Sequence, residues 1–194
     1  MTATSLSRRY FEDLYAADAD PWRFATSVYE SAKYRRSIEA LPHARYRKGL
    51  EVGCSIGVMT RKLAERCDDL VAIDIAAAPL AVARMRCAEM TWVRFARMTV
   101  PKEWPNRIFD LIVLSEVVYY LDEADVALLA HRAKSTLASS GNILLVHWTR
   151  PTNYPLTGDR AAELFIDQAS TYADVRIQKR TKEFRLDLLT RSRK

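Results

Sequence analysis

Two short runs, Leu111-Ile112-Val113-Leu114 and Ile143-Leu144-Leu145-Val146, are apolar at every position. A strand with one wet face alternates apolar and polar residues, because successive side chains point to opposite sides of the sheet. An unbroken apolar strand has to be covered on both faces, as in a parallel sheet flanked by helices. The runs therefore predict an α/β fold. The surrounding pattern agrees: strands are expected over 48–52, 69–73, 91–96, 109–115 and 142–147, and helices over 57–66, 78–87 and 123–137, the last stopped by Ser139-Ser140-Gly141. Two helices are expected ahead of the first strand. Residues 5–18 put Leu6, Tyr10, Phe11, Leu14 and Tyr15 on one face, and 28–40 end before Pro42. Asp20-Pro21-Trp22 separates them, since Pro21 pushes Asp20 out of helical geometry. At the other end, 172–178 and 183–190 read as two strands joined by the polar turn 179–182, and so close a pair is antiparallel. The expected shape is an open, mostly parallel sheet closed by an antiparallel hairpin.

The chain has 194 residues, enough for one domain with a proper core. A single domain over 1–194 is expected, with a helical lid at 1–45 and a Rossmann-like core at 46–194. No apolar run reaches the roughly eighteen residues of a membrane-spanning helix. Met1 to Tyr10 is polar and does not read as a signal peptide. The three cysteines, Cys54, Cys67 and Cys87, form neither a disulfide framework nor a paired metal-binding motif, which fits a reducing cytoplasm. His43, His131 and His147 lie far apart, and no metal site is expected. The net charge of +6 is spread over Arg8-Arg9, Arg35-Arg36, 45–48 and the tail 191–194. Nucleic-acid binding calls for a dense basic stripe, and none is present.

In an open parallel sheet ligands bind beyond the carboxyl ends of the strands. The first such end is Leu50-Glu51-Val52-Gly53-Cys54-Ser55-Ile56-Gly57. Gly53, Ser55 and Gly57 keep the turn tight and let backbone approach a ligand, and the next helix offers free N–H groups. The spacing is G-x-S-x-G, without the longer G-x-G-x-x-G that accommodates a pyrophosphate, and a carboxylate, Glu51, stands just ahead of it. That suits a cationic, nucleoside-like ligand. Asp74 ends the second strand, 21 positions after Gly53, where an acidic residue accepts the hydroxyls of a ribose; capping of the next helix is the alternative.

This pair of signals is also the signature of class I S-adenosylmethionine-dependent methyltransferases, which the chain resembles, with Ser55 where the usual pattern has a third glycine. The resemblance implies a three-layer α/β sandwich around a seven-stranded sheet with an antiparallel C-terminal hairpin. It implies S-adenosyl-L-methionine as cofactor and S-adenosyl-L-homocysteine as product. It also implies an adenine pocket after the third strand, at Met98 and Thr99, and cofactor contacts at Cys54, Ile75, Pro79 and Ser115. Asp20-Pro21-Trp22-Arg23-Phe24, Tyr29-Glu30-Ser31-Ala32-Lys33-Tyr34, the Glu51–Gly57 turn and Leu114-Ser115-Glu116-Val117-Val118-Tyr119-Tyr120 narrow the likeness to the NodS group of rhizobial nodulation methyltransferases. Members of that group N-methylate the free amine at the non-reducing end of a de-N-acetylated chitooligosaccharide, a Nod-factor precursor. A chitooligosaccharide acceptor is thus implied, with another small-molecule acceptor as the alternative.

An ammonium has no lone pair, so such an enzyme binds the neutral amine or takes its proton. Glu116, just past the fourth strand, and His147, at the end of the fifth, are the candidate bases; a solvated helix-start carboxylate and a core histidine are the alternatives. Tyr119 and Tyr120 are candidates for the acceptor cleft, and Trp148 and Tyr154 for stacking on sugar faces. The resemblance places Trp22 and Arg23 over the cofactor, Arg23 pairing with its carboxylate; a surface arginine is the alternative. Tyr29, Lys33 and Tyr34 share a helical face that completes the lid or packs it. Trp92 and Trp104 read as packing residues. The segment ahead of residue 28 has few apolar anchors after Tyr15 and is expected to be mobile without cofactor.

Overall fold

The computed structural model describes residues 4–192, so Arg193 and Lys194 of the basic tail lie outside the described residues. Seven strands form one sheet in the order β3-β2-β1-β4-β5-β7-β6, with helices around it. The chain divides into two compact units, Ser7–Thr99 and Val100 onward with the short stretch before Ser7. The division falls at Thr99/Val100, and the two N-terminal helices group with the first three strands. Among the described residues no helix is long and apolar enough to cross a membrane.

The first unit holds α1 (Arg8–Ala17), α2 (Val28–Glu39), β1 (Gly49–Val52), α3 (Val58–Ala64), β2 (Leu70–Asp74), α4 (Ala77–Arg86) and β3 (Val93–Arg97). Strand β2 pairs in parallel with β1 on one side, from Gly49↔Leu70 to Val52↔Ile73, and with β3 on the other, from Leu70↔Val93 to Asp74↔Arg97. Every residue of β1 and β2 is buried. Helix α1 starts at Ser7, whose side chain caps Tyr10 N–H, and it buries Phe11 and Tyr15. Helix α2 starts at Ser27, which caps Glu30 N–H. Lys33, 1% exposed, directs its ammonium to the Glu30 carboxylate at 2.9 and 2.8 Å, with the Tyr29 and Tyr34 rings 5.4 and 5.8 Å away. This face of α2 is packed into the protein.

The second unit holds β4 (Phe109–Ser115), a 3-10 turn at Val118–Tyr120, α5 (Glu123–Thr136), β5 (Leu137–Trp148), α6 (Gly158–Ala169), β6 (Ala173–Arg180) and β7 (Phe184–Arg191). Strands β4 and β5 are parallel, while β7 runs antiparallel to both β5 and β6. Leu111 to Leu114 and Ile143 to Val146 are all 0% exposed, as unbroken apolar strands require. Burial of each such side chain contributes roughly 1.5–3 kcal/mol.

Three local expectations are corrected. Ser139-Ser140-Gly141 does not stop a helix: α5 ends at Thr136 and the three residues lie inside β5, where the register to β4 shifts between Phe109 and Leu111. The glycine serves close packing, because a Cβ there would sit 2.6 Å from Leu137 Cδ1. The hairpin turn falls later, since Lys179 and Arg180 belong to β6 and β7 begins at Phe184. Helix α6 was not foreseen. Its buried face is Ala161, Ala162, Phe165 and Ala169, and mostly small residues make a weak periodic signal.

Helix α6 begins hard against the end of β5. A Cβ on Gly158 would lie 1.9 Å from the Trp148 carbonyl oxygen and 2.9 Å from its carbonyl carbon. Both obstacles are backbone, which cannot rotate away. Gly158→Ala is therefore expected to lower stability by about 1–3 kcal/mol, the usual cost of overpacking. Urea unfolding measures it, and a change below about 0.5 kcal/mol would mean that this helix start is free to shift.

Candidate functional site

The turn after β1 is held by backbone bonds to the end of β2: Gly53 and Cys54 N–H both donate to Ile73 O, at 2.8 and 3.0 Å. Gly53 (φ 77°), Ser55 (φ 47°) and Gly57 (φ 79°) are all left-handed. Glycine takes this conformation freely, whereas serine is strained in it. A side chain at Gly57 would also meet Ala83 Cβ at 2.9 Å, so the helix α3 start packs closely on α4.

Asp74 ends β2 buried, with its carboxylate held by backbone N–H groups. Oδ2 accepts Ser55 N–H at 2.8 Å and Oδ1 accepts Ala76 N–H at 2.9 Å. Burial raises its pKa, and the N–H groups of Ala76, Ser55 and Ile75 oppose that rise. Ala76, not Asp74, is the N-cap residue of α4. A carboxylate has about four lone-pair directions, so beyond these backbone donors it keeps capacity to accept a ribose hydroxyl. The Asp74 carbonyl takes Met98 N–H at 2.9 Å, and Ile75 O takes Arg97 Nε at 3.2 Å. Three strand ends are thus stitched together, bringing Gly53, Cys54, Ser55, Asp74, Ile75 and Met98 into one edge. Pro79 is buried in the first turn of α4.

Glu51 is 2% exposed, and its Oε2 has no hydrogen-bond partner. Burial raises the carboxyl to a pKa of about 8; the Thr60 hydroxyl opposes that rise and the Asp74 charge adds to it. The Thr60 hydroxyl is itself buried and without a hydrogen bond of full geometry. An orphaned buried carboxylate beside a second carboxylate is a place for a cation. The N-terminal segment also meets this turn. The Tyr15 hydroxyl shares a 2.5 Å hydrogen bond with Ser55 Oγ, and Trp22 packs edge-on against Tyr15, centroids 5.7 Å apart, and stacks on Phe24. Arg23 is exposed and left-handed (φ 59°), and its guanidinium lies 3.5 Å from Asp18. It therefore takes the surface alternative. Thr99 accepts Arg8 NH2 at 2.6 Å.

The second unit carries its own polar cluster. Ser115 ends β4, buried. Glu116 follows at φ 57°, its N–H donating to Val146 O at 2.8 Å. Its Oε2 accepts the Tyr119 hydroxyl at 2.5 Å and Trp148 N–H at 3.0 Å. It is thus a partly buried, oriented carboxylate and not a solvated one. Burial, then the Glu116 charge, raises the Tyr119 phenol well above its usual range, so it stays protonated and donates. The Tyr154 ring stacks on Tyr119 with centroids 5.2 Å apart and meets Tyr120 edge-on at 4.7 Å. His147 is 0% exposed and its Nε2 accepts Val118 N–H at 3.3 Å. That nitrogen is committed to the backbone, so the core-histidine alternative is the one observed. Trp92 and Trp104 brace Ala64 O and Thr136 Oγ1, at 2.9 and 3.0 Å.

Residues 7–150 match the family model of nodulation protein S, NodS. The chain belongs to the NodS family. It is 33% identical over 130 residues to nodulation protein S of Sinorhizobium fredii, covering 66% of this chain and 60% of that one. It is 31% identical to the Rhizobium tropici protein over 131 residues, 66% of this chain and 55% of that one. The match thus spans little more than half the length of these relatives. Among solved structures, a Pseudomonas syringae protein described as a methyltransferase is 34% identical with a TM-score of 0.76, over 85% of this chain and all of that one. The NodS N-methyltransferase of Bradyrhizobium japonicum WM9, solved with S-adenosyl-L-homocysteine, has a TM-score of 0.81 at 23% identity, over 95% and 97% of the two chains. That likeness is one of fold, the methyltransferase fold.

Sequence reasoning did not single out Thr60, Tyr15 as a partner of the turn, or the Trp148 N–H. The serine in place of glycine was the available signal for Tyr15. The Trp148 contact is made by backbone and carries no sequence mark.

The raised Glu51 pKa has a defined sign. A carboxyl near 4.5 when unfolded and about 8 when folded costs nothing below pH 4.5, and its penalty grows with pH until it is complete above 8. Glu51→Gln should therefore melt higher than the parent at pH 8–9 and converge with it below pH 5. Equal melting temperatures across that range, followed by circular dichroism, would show that Glu51 is not strained by ionisation.

Proposed function

We propose that this NodS-family chain is an S-adenosyl-L-methionine-dependent N-methyltransferase acting on the free amine of the non-reducing-end glucosamine of a de-N-acetylated chitooligosaccharide. The observation that carries the cofactor assignment is the buried pair of acidic side chains beside the left-handed turn: Asp74, held by backbone N–H groups with acceptor capacity to spare, and Glu51, with Oε2 unpartnered. These acceptors fit a ribose diol and a cationic amino-acid moiety, and the acidic Glu51 just ahead of the turn disfavours a pyrophosphate. When bound, S-adenosyl-L-methionine supplies an already activated methyl group, so the protein's work is alignment and exclusion of water.

Asp74 holds the ribose hydroxyls, and Gly53, Ser55 and Gly57 keep side chains out of the way. Met98 and Thr99, at the end of β3, line the base. Glu116 is the acceptor-side group. Tyr119 and the Trp148 N–H fix one carboxylate oxygen, so the group is aimed before substrate arrives. It takes a proton from the acceptor ammonium, exposing the lone pair that forms the N–C bond, and as the neutral acid it still holds the amine by a hydrogen bond. The Tyr154 ring, half-buried beside Tyr119, offers a face for a sugar ring. The likeness to NodS relatives and this pairing of a carboxylate with aromatic faces support the chitooligosaccharide reading.

Mass spectrometry tests the substrate: one methyl should be added to a chitooligosaccharide with a terminal free glucosamine, and none to its fully N-acetylated form. A gain on small amines but not on the oligosaccharide would overturn the acceptor and keep the reaction. Glu116→Gln should lower kcat by about 10²–10⁴, the usual worth of a positioned base, with little change in S-adenosylhomocysteine affinity. Asp74→Ala should abolish calorimetric binding of S-adenosylhomocysteine, and unchanged binding would reject the ribose role.

A further inference from the structure

Helix α1 touches both loops to which the cofactor is assigned, and it does so with side chains placed one turn or more apart. Arg8 donates to Thr99 beyond β3, Glu12 pairs with Arg97 at the end of β3, and Tyr15 bonds Ser55 in the turn after β1. Spacings of four and three residues put Arg8, Glu12 and Tyr15 on one helical face. The apolar part of this face is buried as well, with Tyr15 7% exposed and its ring against Trp22.

The Tyr15 bond falls on the one residue where the turn departs from glycine. Ser55 is left-handed (φ 47°), a conformation that glycine takes without strain. The strain needs a compensation, and the structure supplies one: Ser55 Oγ lies 2.5 Å from the Tyr15 hydroxyl, both buried. The same residue's N–H donates to Asp74 Oδ2 at 2.8 Å. A fixed Ser55 side chain fixes its peptide plane, and that peptide sets the direction of one Asp74 oxygen. The line of contacts runs from α1, through Ser55, to the carboxylate assigned to the ribose.

We infer that Tyr15 is a positioning residue for cofactor binding, acting through the Ser55 hydroxyl to orient the Ser55 N–H and the Asp74 carboxylate. It rests on the cofactor reading above. On this inference the serine in the glycine pattern is the receptor of a latch from α1, and not a tolerated substitution. The ring of Tyr15 packs; the hydroxyl does the orienting. Removing the hydroxyl should therefore leave the fold in place and loosen the ligand.

Calorimetry with S-adenosylhomocysteine on the full chain, with Tyr15→Phe, Ser55→Gly and the double variant, tests this. Tyr15→Phe keeps the contact with Trp22 and loses one buried hydrogen bond, so binding should weaken roughly three- to tenfold. Ser55→Gly should weaken it similarly, even though it relieves the left-handed strain and should not lower the melting temperature. The double variant should bind no worse than the weaker single, because both remove the same bond. In turnover assays the loss should appear in KM for the methyl donor, with kcat nearly unchanged. A serine that merely shapes the turn predicts the opposite, with Ser55→Gly binding as well as the parent or better. That result, Tyr15→Phe binding like the parent, or additive losses in the double variant, would overturn the inference. If Tyr15→Phe failed to fold, Ser55→Gly alone would decide by the same criterion. A parent chain that binds no S-adenosylhomocysteine would instead defeat the cofactor reading, and the latch with it.

Discussion

The buried Asp74 carboxylate is the constraint on which the first half of the structure depends. A charged group removed from water is costly unless its lone pairs are met. Here Ser55 and Ala76 N–H meet one on each oxygen, and Met98 N–H meets the carbonyl of the same residue. The start of α4, the turn after β1 and the loop after β3 are therefore all fastened to one residue. What is left over on Asp74 is as informative as what is used, since the carboxylate still has room for a donor.

Glu51 shows the other side of the same physics. It lies buried, with one oxygen unpartnered and a second carboxylate adding repulsion, so its proton is held to about pH 8. It stands in a strand whose other residues are apolar or glycine, and there its ionised form is destabilised by burial. Glu116 in the second unit is the contrast: also strained in its backbone, but with its side chain held by Tyr119 and the Trp148 peptide. Glu51 Oε2 stands without a partner, whereas Glu116 Oε2 is held by two donors.

Much of this was legible in the chain. Continuous apolar runs at 111–114 and 143–146 require two-sided burial, and both are fully buried strands. The glycines of the turn, Glu51 ahead of it and Asp74 beyond it were readable because strand ends in such sheets carry ligands. The likeness to the NodS group was carried by blocks that the family match at residues 7–150 encloses. The elements that went unread have a common cause. Helix α6 buries mostly alanine, the 3-10 turn at Val118–Tyr120 is three residues long, and Gly141 looks like a helix stop although it lies in a strand. Small residues report close packing, and close packing is a relation between distant parts of the chain.

The sequence by itself determined the class of fold, the tight turn after β1 and the acidic residues beside it, because strand burial and tight turns act locally. Only the tertiary structure decided which polar groups find each other. It sent Arg23 to Asp18, committed His147 Nε2 to the Val118 N–H, joined Tyr15 to Ser55 across 40 positions, and aimed Glu116 with a peptide 32 residues away. Hydrogen bonds are short-ranged and directional, so their partners are set by where the packed elements bring donors and acceptors, and spacing along the chain does not record that.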